Sequence, residues 1–163
     1  MEMKLKTIGM IHSPFQQAAG TPIQPAVAGQ AEGRIEVFPE YQAALADLEG
    51  FERIWLLYWF DRAAAPKLQV KPFLDNQQRG LFATRAPCRP NPIGISCVEV
   101  KKIEGNMITV VGIDILDQTP LLDIKPYVPP FDCFAVRRYG WLQDKQISDQ
   151  TADQRFSGKE DNV

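Results

Sequence analysis

The sequence contains no Gly-x-Gly motif and no glycine-rich loop that ends in Gly-Lys-Ser or Gly-Lys-Thr. Dinucleotide-binding folds and P-loop enzymes need those glycines, because a side chain would keep the backbone away from the phosphates. The sequence therefore excludes both classes. A nucleotide or cofactor would have to be held by another kind of loop.

Histidine and cysteine are also scarce. His12 is the only histidine, so the usual zinc site with two or three histidines cannot form. Cys88, Cys97 and Cys133 show no Cys-x-x-Cys spacing, which favours reduced thiols over a disulfide framework, and we expect no metal. Cys97 is most simply a small core residue of a strand. Cys88 lies between two arginines, which leaves a reactive thiol as the lesser alternative.

Long apolar runs are missing as well. The richest one, residues 54–60, has the length of a strand, and the N-terminus resembles no signal peptide. The sequence thus predicts a cytoplasmic protein without a membrane span. The formal net charge is −2, and three basic against five acidic residues from Gln143 onwards account for all of it. Because the rest of the chain is neutral, nucleic-acid binding would need a local basic patch.

The sequence does contain a series of short strand patterns separated by glycine and proline. Pro39 and the apolar spacing after it predict one short helix that ends near Gly50. The pattern favours an all-β fold, either an antiparallel barrel or a sandwich. We expect one domain over residues 1–142 and a polar, mobile tail over residues 143–163. The predicted strands are residues 4–13, 33–38, 51–60, 81–84, 93–103, 107–116 and 121–127.

Residues 82–94, the proline loop, form the most unusual segment, with three prolines and two arginines in thirteen residues. Each proline fixes its own φ and restricts the residue before it, so the loop is stiff before any ligand binds. Arg85 and Arg89 could hold a carboxylate or a phosphate, and Asn91 could read a base edge or a ribose hydroxyl. An architectural corner with solvated arginines is an equally weighted alternative.

A second polar cluster covers residues 114–127, where Gln118-Thr119-Pro120 interrupts two apolar strands. The backbone groups of such a turn can recognise an adenine or an amino-acid moiety. Asp123 and Lys125 lie two residues apart on one strand face, and their simplest interpretation is a surface ion pair.

Four blocks in order, residues 8–15, 50–60, 82–96 and 119–127, are similar to the TrmO (TsaA-like, YaeB-like) family, and the resemblance covers roughly residues 4–132. It implies a single-sheet antiparallel β-barrel, a homodimer and S-adenosyl-L-methionine as the cofactor. It also implies N-methylation of a threonylcarbamoyl-modified adenosine beside the anticodon of tRNA. The cofactor contacts that it implies are Pro25, Ala26, Val27, Asp61, Arg62, Arg85, Cys97, Gln118, Thr119, Pro120 and Leu121.

We expect RNA contacts from Arg85, Arg89, Asn91 and Lys125. Asp123 and Tyr127 are candidates for a catalytic base by their position alone. Two other functions remain open at this point. The chain could be a sensor or adaptor that binds S-adenosylmethionine without methylating RNA, or a methyltransferase with another substrate.

Overall fold

The computed structural model describes residues 4–147 and 150–158. Its strands are β1 (Gly9–His12), β2 (Glu32–Val37), β3 (Arg53–Trp59), β4 (Gln69–Val70), β5 (Arg79–Gly80), β6 (Ile93–Glu104), β7 (Met107–Val111) and β8 (Thr119–Pro126). Six of them close into a barrel in the order β1-β2-β7-β6-β3-β8, and every neighbouring pair is antiparallel. β4 and β5 pair with each other outside it. The all-β barrel is confirmed, and the sandwich alternative is not.

Alternation along each strand separates the barrel interior from its outer surface. On β3, Ile54, Leu56 and Tyr58 are buried, whereas the residues between them are half-exposed. The apolar run over residues 54–60 is therefore buried on one face of the strand and half-exposed on the other. The fully buried side chains that fill the interior are mostly β-branched or leucine: Ile11, Ile35, Ile54, Leu56, Val98, Ile108, Val110 and Leu121.

The helix predicted after Pro39 is not an α-helix. Two 3-10 turns, Pro39–Leu45 and Leu48–Gly50, occupy this segment, and Asp47 between them has φ 66°, which stops a continuous helix. Leu45 is the only buried residue of the two turns, so no apolar stripe exists to hold a longer helix. The α-helix of the described residues is instead α1 (Pro129–Asp132), a single turn.

Two strand predictions also need correction. Residues 81–84 form a 3-10 turn, Leu81–Ala83, because the amide and hydroxyl groups of Thr84 both donate to the Leu81 carbonyl at 3.0 and 2.8 Å. β7 ends at Val111 because Gly112 adopts φ 84°, a left-handed conformation that breaks the strand. Asp114 consequently lies outside the barrel ladder, in the connection to β8.

Residues 150–158, part of the segment expected to be a mobile tail, pack against the loops at one end of the barrel. Thr151 pairs with Pro22 and Ser157 pairs with Ala63. Phe156 is 7% exposed, and its ring lies 5.1 Å from the Phe73 ring. The domain boundary at residue 142 stays a prediction, and residues 148–149 and 159–163 of the expected tail lie outside the described part of the chain.

Gly94 allows the Tyr58 ring to pack against β6, because a Cβ at position 94 would overlap that ring. We predict that Gly94→Ala lowers the free energy of unfolding by about 2 kcal/mol, the usual cost of overpacking a core. Chemical denaturation measures this change. Gly50→Ala is the matched control, since a Cβ there meets no atom within 4 Å, and we expect a change of under about 0.5 kcal/mol. Equal stability of the two variants would contradict the prediction.

Candidate active site

Arg89 holds the proline loop in its conformation. Its Nη1 atom donates to the carbonyls of Thr84 and Ala86 at 3.0 and 3.3 Å, and its guanidinium lies 5.5 Å from the Phe82 ring centre. Arg89 therefore has largely the structural role that the alternative of an architectural corner assigns to the proline loop. Cys88 is completely buried, so its thiol has no access to a substrate and the alternative of a reactive cysteine is wrong.

Arg85 has a different environment, because its side chain leaves the loop and crosses to the segment before β2. Its Nη1 atom donates to Gln24 Oε1 at 2.6 Å. Arg85 is exposed and lines two adjoining cavities, of about 820 Å³ and about 500 Å³. Both volumes lie in the range of about 300–1,000 Å³ that is typical of small-molecule sites. The residues that line both cavities are Gln24, Ala26, Arg85 and Ile95.

The larger cavity contains several of the expected cofactor residues, namely Ala26, Asp61, Arg62, Arg85 and Thr119. Arg62 connects two of the implied contact regions, because its Nη2 atom donates to the Asp117 carbonyl at 2.8 Å and to Thr119 Oγ1 at 2.9 Å. The C-terminal segment closes part of this cavity through Trp141, Leu142, Ile147, Ala152, Asp153, Phe156 and Ser157.

The smaller cavity contains a second group of the expected cofactor residues: Pro25, Ala26, Arg85 and Cys97. Pro25 and Ala26 belong to a 3-10 turn, Pro25–Val27, but Val27 lines neither cavity. Cys97 lies on the outer side of β6 and is half-buried, and burial raises the pKa of its thiol. The expectation of a core position for Cys97 is therefore wrong.

Besides Val27, three of the implied cofactor residues line neither cavity. Gln118 has φ 60°, and its amide nitrogen lies 3.0 Å from His12 Nδ1. Pro120 pairs with Met10 across the β1–β8 ladder. Leu121 is fully buried in the core, so its side chain is not available to a ligand. The cofactor contacts of these residues, like that of Val27, stay predictions.

The candidate base and RNA residues other than the two arginines also lie away from both cavities. Lys125 Nζ contacts Asp123 Oδ2 at 2.7 Å, and both side chains are mostly solvent-accessible, which confirms the surface ion pair. The Tyr127 ring packs 5.8 Å from the Trp55 ring, and Asn91 is exposed. The structure brings Arg85 and Arg89 together at the larger cavity. The proposed roles of Asn91, Asp123, Lys125 and Tyr127 stay predictions.

A hydrogen-bonded cluster that the sequence analysis missed lies where the two cavities meet. Ser96 Oγ donates to Asp114 Oδ1 at 2.6 Å and lies 3.0 Å from the Tyr58 hydroxyl. Burial raises the pKa of Asp114 to about 7, although the Ser96 hydrogen bond and the Arg85 charge oppose that shift. Burial also raises the pKa of Tyr58 well above its usual range, so this phenol stays protonated. The only signal in the sequence is an aspartate between two isoleucines.

Comparison with known proteins identifies the family. The model of the tRNA-methyltransferase O N-terminal domain matches residues 10–133. The chain belongs to this family. It is 51% identical over 138 residues to a Pyrococcus abyssi protein named a probable S-adenosyl-L-methionine-binding protein, a match that covers 85% of this chain and 75% of the relative.

Two further members of the tRNA-methyltransferase O family are considerably longer. A rat (Rattus norvegicus) protein named tRNA (adenine(37)-N6)-methyltransferase is 36% identical over 132 residues, which are 77% of this chain and 31% of the relative. The crystal structure of TrmO from Pseudomonas aeruginosa superposes with a TM-score of 0.73 at 39% identity, and the match covers 86% of this chain and 63% of that one. The chain thus spans less than two thirds of either relative.

The family match includes the proline loop and the Tyr58–Ser96–Asp114 cluster but ends before the C-terminal segment that lines the larger cavity. Within residues 4–147 and 150–158, no three histidine, cysteine or acidic residues are grouped so that they could hold a metal ion. The helices in this part of the chain are all too short or too polar to cross a membrane.

Proposed function

We propose that this protein is a transferase that methylates tRNA with S-adenosylmethionine, at the N6 atom of the threonylcarbamoyl-modified adenosine 37 beside the anticodon. The observation that carries the proposal is the pair of adjoining cavities that share Arg85. A methyltransferase must hold two ligands side by side, and each cavity has the volume for one of them. Relatives named for S-adenosylmethionine binding and for tRNA adenine methylation support the choice of both ligands. A cytoplasmic location is part of the same proposal.

The donor set of the larger cavity fits the cofactor. Arg62 and Arg85 offer guanidinium groups to a carboxylate, and Phe60 and Ile115 offer apolar surface to an adenine ring. When bound, S-adenosylmethionine supplies a methyl group on a sulfonium, which is already an activated leaving group. The residues of the chain therefore have to align the acceptor with that methyl group and to exclude water.

The acceptor RNA has to contact the chain locally, because the net charge of −2 gives no general attraction for a polyanion. Arg85 and Arg89, both from the proline loop, line the larger cavity. Asn91 and Lys125 are the other predicted contacts, at exposed positions outside it. Threonylcarbamoyladenosine carries a carboxylate, which Arg85 or Arg89 could bind with two parallel hydrogen bonds.

Calorimetry with S-adenosylmethionine and S-adenosylhomocysteine tests the cofactor. We expect both to bind with one site per chain, and Arg62→Ala to weaken both. If neither compound binds, the methyltransferase function and the sensor function are both excluded. Binding of the cofactor without methyl transfer to any tRNA would favour the sensor or adaptor.

We also propose a homodimer in which a second copy covers the outer patch, formed by Trp55, Leu57, Trp59, Ile93 and Ile95. These residues form cross-strand neighbours on the outside of β3 and β6, where Leu57 faces Ile95 and Trp59 faces Ile93. Ile93 and Ile95 are 38% and 45% exposed. A contiguous apolar face of this kind is typical of homodimer interfaces. Since Trp55 and Ile95 line the smaller cavity, the second copy would lie beside that cavity.

We predict that Trp59→Glu weakens this dimer about 30-fold or more, equivalent to about 2 kcal/mol, because it buries a charge in the interface. Light scattering coupled to size-exclusion chromatography measures the mass, and circular dichroism verifies the fold. Leu68→Glu is the control, since Leu68 is 76% exposed and lies away from the patch. A monomeric wild type, or a dimer that Trp59→Glu leaves intact, would overturn the proposed interface.

A further inference from the structure

We propose that Asp114 is the catalytic residue that accepts the proton of the acceptor nitrogen during methyl transfer, and that Ser96 is its positioning residue. The inference rests on the proposed function, because it assigns a role within that reaction. It starts from a carboxyl group that lines the larger cavity and lies one hydrogen bond away from a residue of the smaller cavity. The alignment of the two ligands alone gives this group no role.

The position of Asp114 follows from the barrel. Asp114 lines the larger cavity and Ser96, on β6, lines the smaller one, so the 2.6 Å hydrogen bond between them joins the two sites. Because Ser96 donates its only proton to Asp114, the Tyr58 hydroxyl must donate to Ser96 Oγ. Among the described side chains, Ser96 alone hydrogen-bonds to this carboxyl group, through Oδ1, and the backbone of Asp114 itself supplies a further hydrogen bond.

The other acidic residues that line the cavities are ion-paired. Asp61 contacts Arg62, Asp153 contacts Arg155, and Glu99 contacts both Arg53 and Lys101. The hydrogen bonds from Arg155 and Lys101 lower the pKa of Asp153 and of Glu99, which makes both carboxylates weaker bases. Asp114 is the one acidic residue of the described cavity linings without a lysine or arginine in an ion pair.

The groups that face Asp114 set its protonation. Asp114 is buried on the barrel side, where the Tyr58 hydroxyl lies nearby. On the side of the proline loop, the positive charge of Arg85 favours the ionised carboxylate. Burial dominates and raises the pKa of Asp114 to about 7. A general base is most effective when its pKa lies near the working pH, since it is then both ionised and basic.

The chemistry requires a proton acceptor. A nitrogen that carries a carbamoyl group is a weak nucleophile, and its proton must leave for the product to be neutral. The proton moves from this nitrogen to the Asp114 carboxylate while the nitrogen–carbon bond forms. The carbon–sulfur bond breaks at the same time, and its electron pair stays on sulfur, so charge and atoms balance.

The test compares wild type, Asp114→Asn and Ser96→Ala in single-turnover methyl transfer to an anticodon stem-loop RNA that carries threonylcarbamoyladenosine. We expect Asp114→Asn to lower the rate about 100-fold or more and to leave S-adenosylmethionine affinity within about threefold of wild type. The wild-type rate should rise with pH, with a midpoint near pH 7 and a plateau above it, and the variant should lose this dependence. Ser96→Ala should shift the midpoint upward, because its hydrogen bond lowers the pKa of Asp114.

Asp47→Asn is the control for the loss of one carboxylate, because Asp47 is exposed and lines neither cavity; we expect its rate to match that of wild type. A rate for Asp114→Asn close to wild type, or a wild-type rate that does not change with pH, would overturn the assignment. The assignment would also be overturned if Asp114→Asn loses cofactor affinity but keeps the wild-type rate at saturating cofactor, since Asp114 would then be a binding residue.

A second readout separates the failure of this inference from failure of the proposed function. If the wild-type protein transfers no methyl group to tRNA, the proposed function is contradicted. Carbon-13 NMR of the Asp114 carboxyl group then decides the assignment without turnover. A titration midpoint near pH 7 retains Asp114 as a poised base for another acceptor, and a midpoint near the ordinary value of about 4 overturns it.

Discussion

Replacing Arg85 by alanine is expected to lower kcat/KM for tRNA methylation about 100-fold. Among the residues that the structure describes, Arg85 is the only charged one that lines both cavities, so its loss affects both proposed ligands. A charge-assisted hydrogen bond contributes about 1.5–3 kcal/mol, and a loss of about 3 kcal/mol corresponds to about 100-fold in rate. Steady-state kinetics and cofactor calorimetry measure the two parts of the effect separately.

The control for Arg85→Ala is Arg34→Ala. Arg34 is exposed on β2 and lines neither cavity, so its substitution removes the same charge without touching the proposed site. We expect this control to change kcat/KM by less than about threefold. If the two variants behave alike, Arg85 contributes only to the overall charge, and the cavities are not the reaction site.

The stability of Asp114→Asn relative to wild type should depend strongly on pH. The pKa of Asp114 is about 7 in the folded chain against an ordinary 3.8. Below pH 3.8 the carboxyl group is neutral in both states. Between pH 3.8 and 7 the Asp114 carboxyl group ionises in the unfolded chain but stays mostly protonated in the folded chain. Wild-type stability therefore decreases as pH rises. Asparagine does not titrate and avoids this loss.

We therefore expect the free energy of unfolding of Asp114→Asn, minus that of wild type, to increase by about 3 kcal/mol between pH 4 and pH 8. Urea unfolding at pH 4, 6 and 8 measures this difference. Asp47→Asn, measured alongside, removes the general effect of deleting one negative charge. A difference between Asp114→Asn and wild type that stays constant with pH would show that the folded protein does not desolvate this carboxyl group.

The all-β fold was predictable from the strand pattern, whereas the choice of a barrel over a sandwich came from the family resemblance. β2 alternates strictly, and β6 and β8 were predicted with bounds within a few residues of those observed. The short helix was not predictable in the same way. Its apolar spacing after Pro39 suits an α-helix, but tertiary packing buries only Leu45, and the left-handed Asp47 divides the segment into two 3-10 turns.

The site was only partly predictable for a similar reason. The prolines of residues 82–94 pointed to a preorganised loop, and Arg85 does line both cavities. The sequence could not distinguish Asp114 from Asp123, because both are aspartates in apolar surroundings. What separates them is the break of β7 at Gly112 and the ion pair with Lys125, which leave Asp114 at the junction of the cavities and Asp123 on the outer surface.

The most direct test of the account is mass spectrometry of tRNA nucleosides after incubation with the protein and isotope-labelled S-adenosylmethionine. The account predicts one labelled methyl group on the threonylcarbamoyl-modified adenosine 37, with wild type and Arg34→Ala alike and with little label from Arg85→Ala or Asp114→Asn. Unlabelled tRNA from a wild-type protein that binds the cofactor would contradict it, as would label in a different nucleoside.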